Sequence, residues 1–326
     1  MLAFIYRQLF NFLPYPTGSY AGQTVVITGS NVGLGKEAAR HFARLGASKL
    51  ILAVRSLDKG HAAKKDIQAT TGCAKDVVEV WELDMSKYGS VQQFAARLNT
   101  DLERVDIFIA NAGVAHVKYQ QMEENEGTIT VNVVSTFLLT ALVLPKLKET
   151  AAKYNTRPTF TITSSEVHEW TKFEARTAPD GEIFNTINKT AASSENEVGK
   201  LYPLSKLLEV LAVRTIAELH PASKYPVTIN CLNPGLCHSE LARDIDSWGM
   251  TILKLLLARS TEYGSRTLVH AGSQGAETHG KYLSDCGVVE PSSFVRSAEG
   301  KEAQDRVWGE LVQKLEAIKP GVTSKF

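Results

Sequence analysis

The ten residues from Leu201, LYPLSKLLEV, set a tyrosine and a lysine four positions apart. That spacing places both side chains on one face of a helix. A phenol ordinarily titrates near 10, and a neighbouring ammonium favours its phenolate form. Such a pair suits a reaction in which negative charge develops on a carbonyl oxygen and a proton must arrive there. The spacing alone decides little, because ten tyrosines in 326 residues yield about 0.7 such pairs by chance. Pro203 is awkward between them if this is a helix interior. A helix starting near Gly199 or Lys200 removes the conflict, since a first-turn proline loses no N–H partner.

A second group of residues suits binding of a pyrophosphate. The apolar run QTVVIT leads directly into TGSNVGLG, residues 28–35, and then into the helical pattern KEAARHFARLGA. Gly29 permits a tight turn, and Gly33 or Gly35 lets the backbone approach an anion and the helix lie close to the strand. The helix start then offers unpaired N–H groups to negative charge. The spacing is Gly-x-x-x-Gly-x-Gly, not Gly-x-Gly-x-x-Gly.

These residues need a scaffold, and the rest of the chain supplies its pattern. LILAV, VVEVWELD, VDIFIANAG, PTFTITSS and VTINCLNPG read as further strands. Helical patterns alternate with them, near Asp58–Thr70, VQQFAARLNTDL, Leu138–Lys153 and the segment carrying Tyr202. The alternation predicts an α/β fold, a doubly wound, Rossmann-like parallel sheet with helices on both faces. No repeat or linker divides the chain, so residues 21–326 read as a single domain after an apolar segment over 1–20. Two irregular stretches, 166–199 and 236–260, read as inserts on the substrate side. A closing amphipathic helix over 299–318 repeats Val307, Leu311 and Leu315 at spacing four.

In this order the motifs resemble those of the short-chain dehydrogenase/reductase family, over roughly residues 22–290. The turn is similar to its Thr-Gly-x-x-x-Gly-x-Gly. Asn111-Ala112-Gly113, Asn132, Ser165, Tyr202-x-x-x-Lys206 and Asn233-Pro234-Gly235 follow in the family's sequence. Within it, the chain most resembles retinol-dehydrogenase-like members and reductases of fungal biosynthetic pathways. The resemblance implies that Tyr202 is the general acid in reduction and the base in oxidation. It implies that Lys206 lowers the tyrosine's pKa and bonds the nicotinamide ribose. Ser165, chosen over Ser164, would bond the substrate oxygen, and Asn132 would hold a water linking Lys206 to solvent. Gly29, Asn31, Gly33, Leu34 and Gly35 would form the cofactor turn. Asn111 would bond backbone beside the cofactor, and Asp84 would either meet the adenine edge or cap the following helix. Cys237 and Ser239 would flank the nicotinamide carboxamide, Ser239 standing where threonine is usual.

The second strand ends Val54-Arg55-Ser56 and lacks the acid that a ribose 2′-hydroxyl calls for. Arg55 can pair with a phosphate bidentately, so the expected cofactor is NADP(H). His168, Trp170, Phe173, Phe184 and Ile187 in the first insert either wall a substrate pocket or bury one another. His168 reads as a structural hydrogen-bonding group. Residues 241–257, with Trp248 and Met250, read as a lid or as a core helix. Together they favour a bulky apolar substrate, a secondary-metabolite intermediate or a retinoid-like lipid. Two other readings stay open: a pocket of this fold that promotes a non-redox step such as a cyclisation, and a cofactor-binding protein without turnover.

Thirty-six Lys+Arg against 35 Asp+Glu leave a charge of +1, and no basic stripe points to nucleic acid. Cys73, Cys231, Cys237 and Cys286 show no metal-ligand spacing and read as reduced thiols, so no metal is expected. The apolar N-terminal run is too short to span a membrane and is broken by Arg7. Leu2, Ile5, Leu9, Phe12 and Leu13 would share a helix face, which either docks on the domain or gives residues 1–13 a weak hold on a membrane surface. A homo-oligomer and a cytoplasmic location are expected. The terminal Ser-Lys-Phe stands one residue from a peroxisomal address.

Overall fold

The computed structural model describes residues 6–8, 10–238 and 257–326. Its framework follows from runs too apolar to face water on either side. β1 (Thr24–Thr28) is buried at all five positions, and β2 (Lys49–Val54) at five of six. Six strands were expected, and they appear with β3 (Val78–Glu82), β4 (Ile107–Ala110), β5 (Thr159–Thr163) and β6 (Thr228–Asn233). Two more, β7 (Tyr282–Ser284) and β8 (Gly287–Val289), extend the edge. The sheet order is β8-β7-β6-β5-β4-β1-β2-β3, and only the β7–β8 pair is antiparallel. The order reverses between β1 and β4, and ligands of such sheets sit beyond the strand ends at that point.

Alternation along each strand splits the core in two. Val25 and Ile27 join α1 (Gly33–Arg44), α2 (Leu57–Thr71) and α7 (Thr261–Gly272) on one face. Val26, Phe108 and Phe160 join α3 (Tyr88–Asp101), α4 (Thr136–Tyr154), α6 (Leu201–Leu219) and α8 (Ala298–Ile318) on the other. Val307, Leu311 and Leu315 of α8 are buried, as their spacing requires. The helical stretch Gly127–Tyr154 is long and apolar enough to cross a membrane, but nearly all of its apolar part lies inside the protein. It includes a π segment, Thr130–Ser135, ahead of α4. α6 starts at Leu201, with the Leu204 N–H reaching the Lys200 carbonyl at 3.3 Å. Pro203 therefore sits in the first turn.

The first insert folds into one-turn segments around α5 (Ile183–Ala191). Phe173, Phe184 and Ile187 are buried in the core, so they form no substrate wall. Near the N-terminus, Leu13 is wholly buried while Phe12 is 77% exposed, which breaks the expected shared face. Leu2, Ile5 and Leu9 lie outside the described residues, as does the expected lid apart from Leu257.

Candidate active site

Four elements bring the chemistry together. β4 delivers Asn111, the π segment Asn132, the end of β5 Ser165, and α6 both Tyr202 and Lys206. Tyr202, Lys206 and Ser165 line one cleft of about 800 Å³, which continues past Gly29, Asn31, Gly33 and Leu34 to Arg55 and Asp84. The adjacent serines are separated by their bonds. The Ser164 hydroxyl, 2% exposed, donates to the Lys206 carbonyl at 3.1 Å and belongs to the scaffold. Ser165 opens into the cleft, its hydroxyl accepting the Val167 N–H at 3.3 Å.

Asn132 is fully buried. Its Oδ1 accepts the Val114 N–H at 2.9 Å, while Nδ2 donates to the Val114 carbonyl at 2.9 Å and to Ser205 Oγ at 3.0 Å. Both amide hydrogens are spent, so any further partner of the side chain must donate to Oδ1. It ties the loop after β4 to the start of α6, where Ser205 Oγ in turn donates to the Tyr202 carbonyl at 2.8 Å.

The ammonium of Lys206 lies 5.5 Å from the centre of the Tyr202 ring. It donates to the Thr163 carbonyl at 2.8 Å and to Oε1 of Glu209, also at 2.8 Å. Glu209 is 2% exposed, and its other oxygen is buried without a partner among the described residues. Burial raises the Glu209 carboxyl to about 7 against the opposing charge of Lys206. Burial is the largest single influence on Lys206 and would lower it, but Glu209 and Tyr202 together outweigh it and the lysine is raised. Tyr202 is raised rather than lowered: burial leads, Lys206 opposes it, and Glu209 adds to the rise. Lys206 still favours the phenolate, but burial outweighs it, with a smaller contribution from the carboxylate beside it. Glu209 was not read from the sequence, where a glutamate in a helix ordinarily marks a solvated face.

The phosphate turn has the form its residues suggest. Gly33 opens α1 at φ +60°, with open space where a side chain would stand. A Cβ on Gly35 would come within 2.6 Å of Asn111 Nδ2 and 2.7 Å of the Gly29 carbonyl, which explains the close approach of helix and strand. Val32 provides no side-chain cap and the first turn holds no acid, so the free N–H groups of α1 suit an anion. Asn111 Nδ2 donates to the Thr28 carbonyl at 3.0 Å and the Gly29 carbonyl at 3.3 Å, tying the turn to β4. Val54 is buried, whereas Arg55 and Lys59 are exposed and line the cleft; Asp58, between them in the chain, is exposed and is not among the lining residues. Lys59 was not singled out in the sequence, although it follows Arg55 by one helical turn. Asp84 lines the cleft and bonds the Ser86 N–H at 3.0 Å and hydroxyl at 2.7 Å, closing the turn ahead of α3.

At the far end, Cys237 lines the cleft beside Pro234 and Gly235. Burial pushes its thiol up to about 12, so it is a packing group there and not a nucleophile. Ser239 lies outside the described residues. His168 is structural: Nδ1 meets the Ser165 carbonyl at 2.8 Å, and Nε2 accepts the Ser292 N–H at 3.1 Å. The apolar walls are Val114, Val117, Met122, Val167 and Trp170.

Comparison with known proteins agrees with this geometry. A family model described as "short chain dehydrogenase" matches residues 23–154. A short chain dehydrogenase/reductase of Cryptosporiopsis sp. (strain 8999), dmxR8, is 67% identical over 325 residues, covering 100% of both chains. A short-chain dehydrogenase of Penicillium roqueforti (strain FM164), anuD, is 39% identical, covering 98% of this chain and 84% of its own. Among solved structures, a 3-ketoacyl-(acyl-carrier-protein) reductase from Brucella melitensis complexed with NADH superposes with a TM-score of 0.61. It shares 21% identity and covers 82% of this chain and 97% of its own.

Proposed function

The chain belongs to the short-chain dehydrogenase/reductase family, and from that premise we propose an NADP(H)-dependent oxidoreductase acting on a ketone or alcohol of a bulky apolar substrate. The observation that carries this reading is the convergence of Tyr202, Lys206 and Ser165 in the same cleft as the glycine turn. When bound, the nicotinamide supplies or accepts the hydride. The free N–H groups at the start of α1 would hold the pyrophosphate, and Arg55 with Lys59 would hold the 2′-phosphate. Ser165 would bond the carbonyl oxygen of the substrate, and Tyr202 would give its proton to that oxygen as charge develops. In oxidation Tyr202 would take the proton back. Lys206 opposes the burial of the phenolate, and Val114, Val167 and Trp170 favour an apolar body on the substrate.

The test is turnover of NADPH and NADH by the purified protein against a panel of bulky and small ketones. Use of NADPH with bulky ketones is expected. Tyr202→Phe should lower kcat by roughly 10²–10⁴-fold while NADPH still binds. The double change Arg55→Ala with Lys59→Ala should raise KM for NADPH by roughly 10–100-fold and leave that for NADH almost unchanged. A Tyr202→Phe protein that turns over normally would refute the reaction, and equal losses with both cofactors would refute the cofactor choice.

A further inference from the structure

The cleft contains a second polar device, distinct from the residues that handle the reacting carbonyl. His116 lines it among Val114, Val117 and Met122. Its Nδ1 lies 2.9 Å from Oε1 of Glu126, a carboxylate with no exposure. The other oxygen of that carboxylate accepts the Thr128 N–H at 2.7 Å. The Glu126 backbone N–H donates to Asn188 Oδ1 at 3.0 Å, so the residue is held at both ends. The imidazole rests on Gly127, where a Cβ would come within 2.5 Å of its Cε1 and 2.8 Å of its Nδ1. Any side chain at 127 would displace the ring.

A carboxylate that only accepts places the hydrogen on Nδ1 and leaves the Nε2 lone pair as an acceptor. No described residue bonds Nε2, and the side chain keeps 11% exposure on the cleft wall. The buried His168 shows the opposite pattern, with both ring nitrogens bonded to backbone. A fixed acceptor that no described residue satisfies discriminates strongly between ligands that do and do not offer it a hydrogen. A ligand that covers it without offering a hydrogen leaves it desolvated and binds more weakly.

We propose that His116, held by Glu126, binds a hydroxyl group of the substrate remote from its reacting carbonyl. The substrates are then hydroxylated but otherwise apolar ketones, or the corresponding alcohols. The inference rests on the carbonyl-reducing reading of the cleft, and one arm of its test is independent of turnover.

The probes are positional isomers of hydroxy-1-tetralone, each paired with its methyl ether. In NADPH-driven reduction, at least one hydroxy isomer should exceed its ether by about tenfold or more in kcat/KM, chiefly through KM. His116→Leu should make the members of that pair equal, and Glu126→Gln should weaken the preference by releasing the tautomer. NADPH binding, read by fluorescence, reports that each variant is folded. Calorimetric binding of the same pairs to Tyr202→Phe with NADPH, with and without His116→Leu, reads the subsite without chemistry. Equal affinity within every pair, or a preference that survives His116→Leu, overturns the proposal. A binding preference without reduction of any ketone keeps it and refutes the reaction instead.

Discussion

Lys206 does not serve Tyr202 alone, because a buried carboxylate holds the same ammonium at 2.8 Å. Burial leads in raising the phenol, Lys206 opposes it, and Glu209 adds to the rise through its charge. Glu209→Gln keeps an oxygen for Lys206 and removes the negative charge. The sign is then fixed: Tyr202 ionises more readily, so the alkaline rise of the oxidation rate and the alkaline fall of the reduction rate both move to lower pH. Paired pH–rate profiles of wild type and variant check this, and profiles that coincide would show that the tyrosine does not feel the carboxylate. Tyr202, Lys206, Ser165 and the glycines were legible because family motifs fix them by order and spacing. Glu209 was not, since only the packing of α6 on β5 turns position 209 inward. Asn132 was legible as a position, but its hydrogen bonds to the scaffold were not. Which atoms its amide meets depends on Val114 and Ser205, 18 and 73 residues away.

At the scale of elements, the six strands were legible because five of them are apolar runs buried on both faces and β3, only partly buried, still carries Val78, Val80 and Trp81. β7 and β8 were not. They are three residues each, too short to show a period, and their turn is made by Asp285 and Cys286 at φ +52° and +60°. Neither residue is the glycine or asparagine that announces a hairpin. The π segment was equally hidden, since TVNVVS carries strand-forming residues within a helical path. The first insert was visible as an excursion, but not the direction of its aromatics. That direction is set from outside the insert by α8. Glu310, 7% exposed, accepts the Ile183 and Phe184 N–H groups at 3.0 and 3.2 Å and so caps α5. A glutamine there offers one acceptor and turns two donors toward a second N–H. Glu310→Gln should therefore cost about 1–2 kcal/mol, seen as a melting temperature lower by a few degrees. An unchanged melting curve would mean that α5 is held by Phe184 and Ile187 alone.

Over the whole molecule, the N-terminal segment closes a circuit that the sequence left open between docking and a membrane surface. Gln8 grips Leu236 at both backbone groups, donating to its carbonyl at 2.6 Å and accepting its N–H at 3.2 Å. It also donates to the Leu257 carbonyl at 2.9 Å. Arg259 donates to the Arg7 carbonyl at 2.9 Å and pairs with Asp285 at 2.7 Å, which joins the segment to the β7–β8 turn. Arg7 reaches Glu166 at the start of the first insert, and the Leu13 N–H bonds Tyr263 of α7 at 2.7 Å. One short segment thus spans the turn after β6, the edge hairpin, the insert and α7, all at the end of the sheet where the cleft opens. Gln8→Ala removes three hydrogen bonds and leaves the Leu236 groups, which lie on the cleft wall, to find water. The expected result is a loss of about 1–3 kcal/mol, a melting temperature lower by a few degrees, and a higher KM for the nicotinamide cofactor with a smaller change in kcat. Phe12→Ala is the control, because that ring is 77% exposed and its loss should stay within about 0.5 kcal/mol. If Gln8→Ala melts and binds cofactor like the wild type, the N-terminal segment decorates the fold without bracing the cleft.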